Sequence, residues 1–464
     1  MTKHVTNWAK TIHFKTKKIV KPKTEEEIIE TIKAAHENNT PIKVCGKKHS
    51  YNGIFQSQDK GILLDLNHFN VLEDVDAQNQ IITFQSGLST IDLIKKLKPF
   101  GLTIPNLGTN IKDNYVAACQ TGYHGSGMGY GIQATHIQSF EIITATGKKL
   151  YINKTDPLFE AMGVSLGALG VIIRITIKVE KRFCLDVKTK RVTLNYLKKN
   201  HDNLLRTNKH VKYILVPHSP LIQLWEANES TKKSKNTFSR LISFFWEGVI
   251  INTILQGILL YIAYFKNSFI GSINHIISNL LMPKESVSTL ESHHAYYLPH
   301  LMKQDTVEFA IPIEHTFPFL KQLKTLIKDK GYYVQSPIEV RFVTKDRFWM
   351  SPAFEKEVCY IGTKVHFLKG LPKPKYKDYF ADFNHLVEYF GGKPHWGKQL
   401  YMSKTYLVKT FTKWDLFWHL ADSLDPKGLL SNRFLDALKP EQKKDIFLDE
   451  PLKQSLIKHG LFSE

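Results

Sequence analysis

Cysteine is scarce in this chain of 464 residues, and several common site motifs are missing. Its four cysteines lie far apart and form no C-x-x-C pair, so the sequence gives no signal of a zinc site or a disulfide framework. This usage favours a reducing compartment. There is no Walker A sequence, no H-E-x-x-H pattern and no strand–G-x-G-x-x-G–helix unit. We therefore predict neither a P-loop, nor a Rossmann nucleotide site, nor a metal site.

Acidic residues are also in short supply. The chain has 63 Lys and Arg against 43 Asp and Glu, a formal net charge of +20. Such an excess favours anionic partners such as nucleic acid, acidic lipid or a phosphorylated ligand. The lysines are spread along the whole chain, however, and a solvated surface explains them equally well. Because no basic stripe or nucleic-acid-binding module is present, no nucleic-acid partner is expected.

Long hydrophobic runs are few. Residues 1–23 are basic without a continuous apolar core, so no secretory signal is predicted. The exception is 242–265, a strongly apolar segment with basic residues on both sides. Its cleanest stretch, 249–265, lies at the lower edge of the ~17–25 residues that span a bilayer. Three interpretations stay open: a helix on a membrane surface, a buried helix of a second domain, or a true span.

The first 180 residues have the pattern of a mixed α and β domain. A capping box at Thr24 and Glu27 predicts a helix from there to about Asn38. Ser89 begins a shorter helix, in which Ile91, Ile94 and Leu97 are predicted to share the apolar face. Strands are predicted at 42–45, 61–66, 80–85, 140–144 and 171–179.

Two short turns in this half contain Gly, Ser and a His. One is Val44–Ser50, which follows a predicted strand, and the other is Thr121–Gly127. Small residues and unpaired N–H donors allow a backbone to approach a pyrophosphate closely. His49 adds a nucleophilic nitrogen that is able to bond a flavin ring. Together these turns make a flavin enzyme the leading hypothesis.

Three segments further along the chain add candidate site residues. On the predicted strand 337–342, Glu339 and Arg341 share one face, as an ion pair or as a substrate clamp. The Gly-rich segment 391–398 carries His395 and Lys398, and Lys398 is able to supply charge near a flavin or its substrate. Ser165–Gly170 is a turn before a strand, so it differs from a dinucleotide-binding motif.

Taken together, these motifs resemble the FAD-dependent sugar-1,4-lactone oxidases, a family of the vanillyl-alcohol-oxidase type. Their order and spacing cover nearly the whole chain, most weakly between residues 191 and 303. The family's turn before the histidine is usually Gly-rich, whereas Lys47 and Lys48 stand there in this chain. The segments that carry the resemblance are Asn7–Lys10, His49–Ser50, Asn106–Gly108, His124–Gly127, Ser165–Gly170, Pro337–Phe342, Ser351–Pro352, Gly391–Lys398, Leu424–Gly428 and Asn432.

The resemblance implies an α+β fold with two domains, the FAD-binding fold of the vanillyl-alcohol-oxidase or PCMH type. The FAD-binding domain is expected at residues 1–185. An α+β cap domain at 186–390 contains the apolar segment 242–265, and a segment at 391–464 returns to the flavin.

The resemblance also assigns roles to residues. Glu339, Arg341 and Lys398 match catalytic residues on the substrate side of the flavin, and His49 matches the histidine that bonds the flavin covalently. The residues that it places at the FAD are Gly46, Lys47, Lys48, His49, Ser50, Gly122, His124, Gly125, Ser126, Gly127, Gly170 and Ile172.

The implied activity is oxidation of a sugar-1,4-lactone of the D-arabinono or L-gulono type. A hydride passes to flavin N5, and O2 is the expected electron acceptor, giving H2O2. The alternatives are an alditol (polyol) oxidase and a membrane-linked lactone dehydrogenase with a quinone or cytochrome acceptor. We expect the protein in the cytoplasm or peripheral to the cytoplasmic face of a membrane, with contact through 242–265.

Overall fold

The structure is a computed structural model, and it describes residues 2–234, 256–297, 302–368, 370–441 and 448–461. The described residues contain both strands and helices. The strands are β1 (Lys3–Thr6), β2 (His13–Thr16), β3 (Lys18–Val20), β4 (Ile42–Cys45), β5 (Ile62–Asp65), β6 (Leu72–Asp76), β7 (Ile81–Gln85), β8 (Leu102–Thr103), β9 (Ile137–Ile143), β10 (Lys149–Asn153), β11 (Val171–Lys178), β12 (Glu180–Lys181), β13 (Cys184–Thr193), β14 (His210–Leu215), β15 (Leu221–Ser230), β16 (Glu285–Glu291), β17 (Lys303–Pro312), β18 (Ile338–Val343), β19 (Val358–Phe367) and β20 (Lys393–Pro394).

Five of the described helices lie in the last quarter of the chain. The described helices are α1 (Glu25–Glu37), α2 (Thr90–Leu97), α3 (Tyr115–Cys119), α4 (Phe159–Met162), α5 (Leu194–Thr207), α6 (Gln256–Phe265), α7 (Phe269–Ile276), α8 (Ser292–Tyr296), α9 (Thr316–Asp329), α10 (Lys377–Tyr389), α11 (Lys404–Thr410), α12 (Trp414–Leu424), α13 (Arg433–Asp436) and α14 (Glu450–Lys458).

Two sheets are built from strands between residues 18 and 178, and one large sheet is built from strands between residues 184 and 394. The order β3-β5-β4 forms a parallel three-stranded sheet, and β10-β9-β11-β7-β6 forms an antiparallel five-stranded sheet. The large sheet has eight antiparallel strands in the order β16-β13-β15-β14-β18-β19-β17-β20. This order places β17 and β18 on the two sides of β19, although α9 and β18 separate β17 from β19 in the sequence.

The predicted elements of the first half are present. Thr24 caps α1, where its Oγ1 accepts from the Glu27 N–H at 3.3 Å. The tight turn at Gly147 closes between β9 and β10, with a donor–acceptor distance of 3.0 Å from its N–H to Thr144 O. The apolar face of α2 packs against the core through Ile91, Ile94 and Leu97, as predicted, and it also includes the buried Leu93.

The C-terminal residues return to the first half of the chain. The Ile42 N–H donates to Leu429 O at 2.8 Å. The side-chain amide of Asn432 donates to the carbonyl oxygens of Gly53 and Gln56 at 3.0 and 2.8 Å. The strand β20 meanwhile joins the edge of the eight-stranded sheet beside β17. The last quarter therefore binds the two halves together around the site described below.

More than half of the apolar segment falls outside the described residues. Of 242–265, the structure describes 256–265, which forms α6. Among the described helices, none combines the length and the hydropathy that a bilayer span requires. All four cysteines are free, and three of them are buried.

Candidate active site

A deep cavity of about 240 Å³ is lined by the N-terminal turns on one side and by the eight-stranded sheet on the other. Three buried polar atoms on its lining, Ser86 Oγ, Gln304 Oε1 and Arg341 Nε, have no hydrogen-bond partner within the described parts of the chain. Buried polar atoms without partners cost free energy unless a ligand or water satisfies them. The cavity is thus built to receive a polar ligand.

One side of the cavity, the turn wall, is made of residues 43–51, 109–124 and 165–172. Its first turn runs close to Asn114, because a Cβ at Gly46 would lie 2.0 Å from Asn114 Oδ1. That oxygen accepts the Lys47 N–H at 2.8 Å. Within the described residues, the N–H groups of His49 and Ser50 have no protein acceptor. These free donors and the glycine suit a turn that holds an anionic group.

The lysines of this turn point in different ways. Lys48 has a left-handed backbone with φ of 61°, which Gly adopts far more easily than other residues. Its Nζ lies 3.2 Å from Asp65 Oδ2, so that ammonium is neutralised by a protein carboxylate. The Lys47 side chain is exposed. The ring of His49 stacks on Trp8, with centroids 5.4 Å apart.

The third part of the turn wall is the segment before β11. Leu166, Gly167 and Gly170 have φ of 56°, 66° and 114°, so the backbone curls tightly there. Ser165 is held by Gln120, whose Oε1 accepts its N–H at 2.9 Å. Lys43 lies beside this turn and donates to Gly167 O at 3.2 Å. Burial lowers the pKa of Lys43 to about 7.

The opposite side, the strand wall, consists of charged side chains from β17, β18 and β19 and from Lys398. Arg341 and Glu339 form a close ion pair on β18, and Arg341 Nη2 lies 3.4 Å from Thr109 Oγ1. Lys364 Nζ lies 3.5 Å from the other oxygen of Glu339. Burial raises the pKa of Glu339, but Arg341 and Lys364 outweigh it and hold that pKa well below its usual range.

A second carboxylate on the strand wall is Glu308 of β17. Its oxygens lie 3.6 Å from Lys398 Nζ and 3.3 Å from His124 Nε2. The ring of His124 stacks on Tyr360 with centroids 3.5 Å apart, and the ring centroid of His395 lies 5.9 Å from that of His124. Although burial raises the pKa of Glu308, Lys398 and His124 hold it well below its usual range.

The residues predicted from the sequence fall into two groups. Gly46, Lys47, Lys48, His49, Ser50, His124, Gly170, Ile172, Glu339, Arg341 and Lys398 all line the cavity. Gly122, Gly125, Ser126 and Gly127 do not line it.

Two members of the second group, Ser126 and Gly127, contact β18 instead. The Gly127 N–H donates to Phe342 O at 2.8 Å, and Ser126 Oγ accepts from the Phe342 N–H at 3.2 Å. Ser126 O also lies 2.7 Å from Nδ1 of the buried His210. The turn at 125–127 therefore fixes β18, and with it Arg341, against the first half of the chain.

Sequence reasoning missed Glu308, Lys364 and Asn114 on the cavity lining. A signal for Glu308 existed, since it is the one charged residue within the apolar run 307–311. An acid in such a run is either exposed at a sheet edge or paired inside. Asn114 has no comparable signal, because its importance comes from the close approach of Gly46, which lies far from it in the sequence.

Comparisons with known proteins agree on the class of molecule. The D-arabinono-1,4-lactone oxidase family matches residues 175–438, and the FAD binding domain family matches residues 16–152. An L-gulonolactone oxidase of Scyliorhinus torazame is 29% identical over 433 residues, 93% of this chain and 97% of that protein. An L-gulono-1,4-lactone dehydrogenase of Mycobacterium tuberculosis is 26% identical, over 90% and 94% of the two chains.

A solved structure also shares the fold. Cholesterol oxidase from B. sterolicum superposes with a TM-score of 0.76 at 14% identity, over 95% of this chain and 97% of that one. Together with the FAD-binding match, this confirms the predicted fold class, an FAD-binding fold of the vanillyl-alcohol-oxidase type. The domain boundaries stay a prediction.

Proposed function

The chain belongs to the D-arabinono-1,4-lactone oxidase family, and from this premise we propose that it oxidises a hydroxyl-bearing carbon of a sugar-1,4-lactone with FAD. The observation that carries the proposal is the cavity itself, in which a turn wall of free N–H donors faces a strand wall of paired charges. The first suits the cofactor and the second suits a small polyhydroxylated substrate.

The residues of the turn wall would hold FAD, which when bound supplies the hydride acceptor for the substrate carbon. The turns at 46–50 and 165–172 offer the close backbone approach and the N–H donors that a pyrophosphate requires. His49, stacked on Trp8, is the proposed site of a covalent flavin bond.

The strand wall would bind and orient the sugar. The guanidinium of Arg341 is proposed to stabilise charge that develops on the substrate oxygen, and Glu339 to accept hydrogen bonds from substrate hydroxyls. Lys398, beside Glu308, supplies a further positive charge on the same wall. Because these groups are paired and largely buried, little reorganisation is needed when the sugar binds.

Anaerobic mixing of the purified protein with L-gulono- and D-arabinono-1,4-lactone tests the activity. We expect the visible flavin absorbance to bleach with a lactone and not with an alditol such as xylitol. Bleaching by the alditol alone would assign the polyol oxidase activity instead, and no bleaching by either would reject the proposal.

For the electron acceptor we propose O2. One H2O2 per lactone oxidised is expected in air-saturated buffer. A protein that is reduced by lactone but makes little peroxide, and that turns over with a quinone or cytochrome c, would be a dehydrogenase instead.

For the flavin bond, acid precipitation separates covalent from free FAD. We expect a yellow pellet from the wild type and a colourless one from His49→Ala, with the FAD of the variant in the supernatant. A colourless wild-type pellet would contradict the bond at His49 without affecting FAD binding.

We propose in addition that the protein binds peripherally to the cytoplasmic face of a membrane. Helices α6 and α7 expose Ile258, Tyr261, Ile262, Phe265, Phe269 and Ile276. A cluster of this kind is rare on a soluble surface and suits the interface of a bilayer. We expect the protein to sediment with anionic vesicles and Phe265→Ser with Ile262→Ser to weaken this binding. Unchanged sedimentation of the double variant would contradict the assignment.

A further inference from the structure

The Glu308 carboxylate has a charged or polar partner on each oxygen. Lys398 Nζ lies 3.6 Å from Oε2, and His124 Nε2 lies 3.3 Å from Oε1. His124 is 1% exposed and Glu308 is 12% exposed, so water offers little alternative. The protonation of His124 is therefore decided by its protein partners.

Hydrogen-bond partners fix which ring nitrogen of His124 carries a hydrogen. Nδ1 lies 2.9 Å from Gly125 O, and a carbonyl oxygen only accepts, so Nδ1 must be the donor. In a neutral ring Nε2 would then present its lone pair to a carboxylate oxygen. Two acceptors at 3.3 Å repel each other unless a proton or a metal ion lies between them.

A metal ion fits the geometry less well than a proton. Donor atoms of His124, Glu308 and His395 do lie within 4.8 Å of one another. However, Nδ1 of His395 accepts the Gly397 N–H at 3.1 Å, which leaves the hydrogen of the neutral ring on Nε2. His395 thus has no lone pair free for a metal, and Lys398 already supplies a cation at Glu308.

The surrounding charges decide where that proton resides. Lys398 and Arg341 both favour the ionised form of Glu308, whose pKa they help to hold low against the effect of burial. Burial lowers the pKa of His124 most and Arg341 lowers it too, while the Glu308 carboxylate raises it without reversing the downward shift. The two acceptor oxygens that face the ring nitrogens, Gly125 O and Glu308 Oε1, nevertheless call for a hydrogen on each nitrogen. The neutral groups that face the pair are Tyr360, stacked on the ring, and His395, whose pKa burial lowers strongly.

We propose that His124 is held as an imidazolium by Glu308, and that Glu308 is a positioning residue that fixes the Lys398 ammonium at the substrate. The inference rests on the proposed lactone oxidation. The positive charge of His124 stabilises the ionised form of the buried Glu308 carboxylate. Glu308 therefore stays unprotonated and pairs with the Lys398 ammonium. In return, Glu308 keeps Lys398 directed into the cavity rather than toward solvent.

Nitrogen-15 NMR of the holoenzyme labelled at histidine tests the protonation state. The His124 signal is assigned by its loss in His124→Gln. At pH 7 we expect both ring nitrogens of His124 to be protonated in the wild type. In Glu308→Gln we expect the neutral ring, protonated on Nδ1, because the amide donates to Nε2. A neutral His124 in the wild type would overturn the inference, as would a stoichiometric divalent metal by elemental analysis.

Rapid-mixing measurement of flavin reduction tests the positioning role. In Glu308→Gln we expect the limiting rate with lactone to fall about tenfold or more, with FAD content unchanged, because Lys398 is displaced. The matched control is Asp156→Asn. It removes a buried His–carboxylate contact of 2.7 Å, with His459, away from the cavity, and it should leave that rate unchanged.

A wild-type rate in Glu308→Gln would overturn the positioning role. Failure of the proposed function gives a different result, since the wild-type flavin would then not be reduced by any lactone. The NMR result does not depend on the substrate and would still decide the state of His124.

Discussion

The two walls of the cavity are built by different means. The turn wall comes from short turns in which neighbouring residues act together, and its binding groups are backbone N–H donors and glycines. The strand wall comes from single side chains on separate strands, which are brought together by pairing of 338–343 with 358–367 and of 303–312 with 358–367. The first kind of wall suits a large, constant cofactor. The second kind of wall allows substrate specificity to change through substitution of a single side chain.

The largest effect should come from removing a charge of the strand wall. Arg341→Ala leaves Glu339 with Lys364 at 3.5 Å and with the charge of Lys212, and it removes the group proposed to face the substrate oxygen. We expect flavin reduction by lactone to slow by roughly 10²- to 10³-fold, with FAD still bound. Arg341→Lys keeps the charge but not the planar fork, and an intermediate loss is expected. If the FAD content and the rate of flavin reduction fell by the same factor, the strand wall would be needed for cofactor binding as well, which would contradict the division between the two walls.

A smaller effect is expected from crowding the turn wall. In Gly46→Ala the new Cβ would meet Asn114 Oδ1 at 2.0 Å, so Asn114 or the turn must move. A clash of this kind typically costs about 1–3 kcal/mol. We expect FAD affinity to fall with little change in the reduction rate of the protein that retains FAD. Gly129→Ala is the control, because nothing lies within 4 Å of its Cβ, and it should titrate with FAD like the wild type.

The same difference explains what the sequence predicts well. The turns at 44–50 and 165–170 are recognisable because their chemistry lies in consecutive residues. The strand 337–342 is recognisable because alternation places Glu339 and Arg341 on one face. Each of these segments reaches the cavity in the structure.

What the sequence does not contain is the register between distant strands. Glu308 reaches His124 and Lys398 only because β17 lies between β19 and β20. The turn at 125–127 has the composition of a cofactor turn, yet its Gly127 N–H donates to Phe342 O of β18 and its Ser126 Oγ accepts from the Phe342 N–H. Composition describes what a turn is able to bind, whereas tertiary packing decides which group lies opposite it.

A third and smaller effect concerns a contact that belongs to neither wall. Asp156 accepts hydrogen bonds from Ser455 at 2.6 Å and from His459 at 2.7 Å, which fasten α14 to the first half of the chain. Burial raises the pKa of Asp156, but these bonds outweigh it and the net shift is downward. The folded pKa is therefore below the unfolded one. The stabilisation is present above an unfolded pKa of about 4 and is lost as pH falls through the folded value.

We expect Asp156→Asn to lower the free energy of unfolding by about 1–2 kcal/mol at pH 7, and by less as the pH falls below 4. Urea unfolding at pH 7 and at pH 3.5 measures both values. If the variant's loss of unfolding free energy is as large at pH 3.5 as at pH 7, the charge of the Asp156 carboxylate contributes nothing to the docking of α14.

The smallest expected effect tests the backbone of the turn wall at Lys48, where strain and an ion pair oppose each other. A left-handed backbone costs a residue with a Cβ about 1–2 kcal/mol, which glycine avoids. The ion pair with Asp65 at 3.2 Å contributes about 0–1 kcal/mol because Lys48 is partly exposed. Lys48→Gly loses the ion pair but relieves the strain, so we expect its free energy of unfolding to lie within about 1 kcal/mol of the wild type.

Lys48→Ala loses the ion pair and keeps the strain, and thermal unfolding should rank its stability below that of Lys48→Gly. The reverse order would mean that the left-handed backbone at Lys48 costs nothing, and that the turn is held by the Lys48 side chain and not by its backbone.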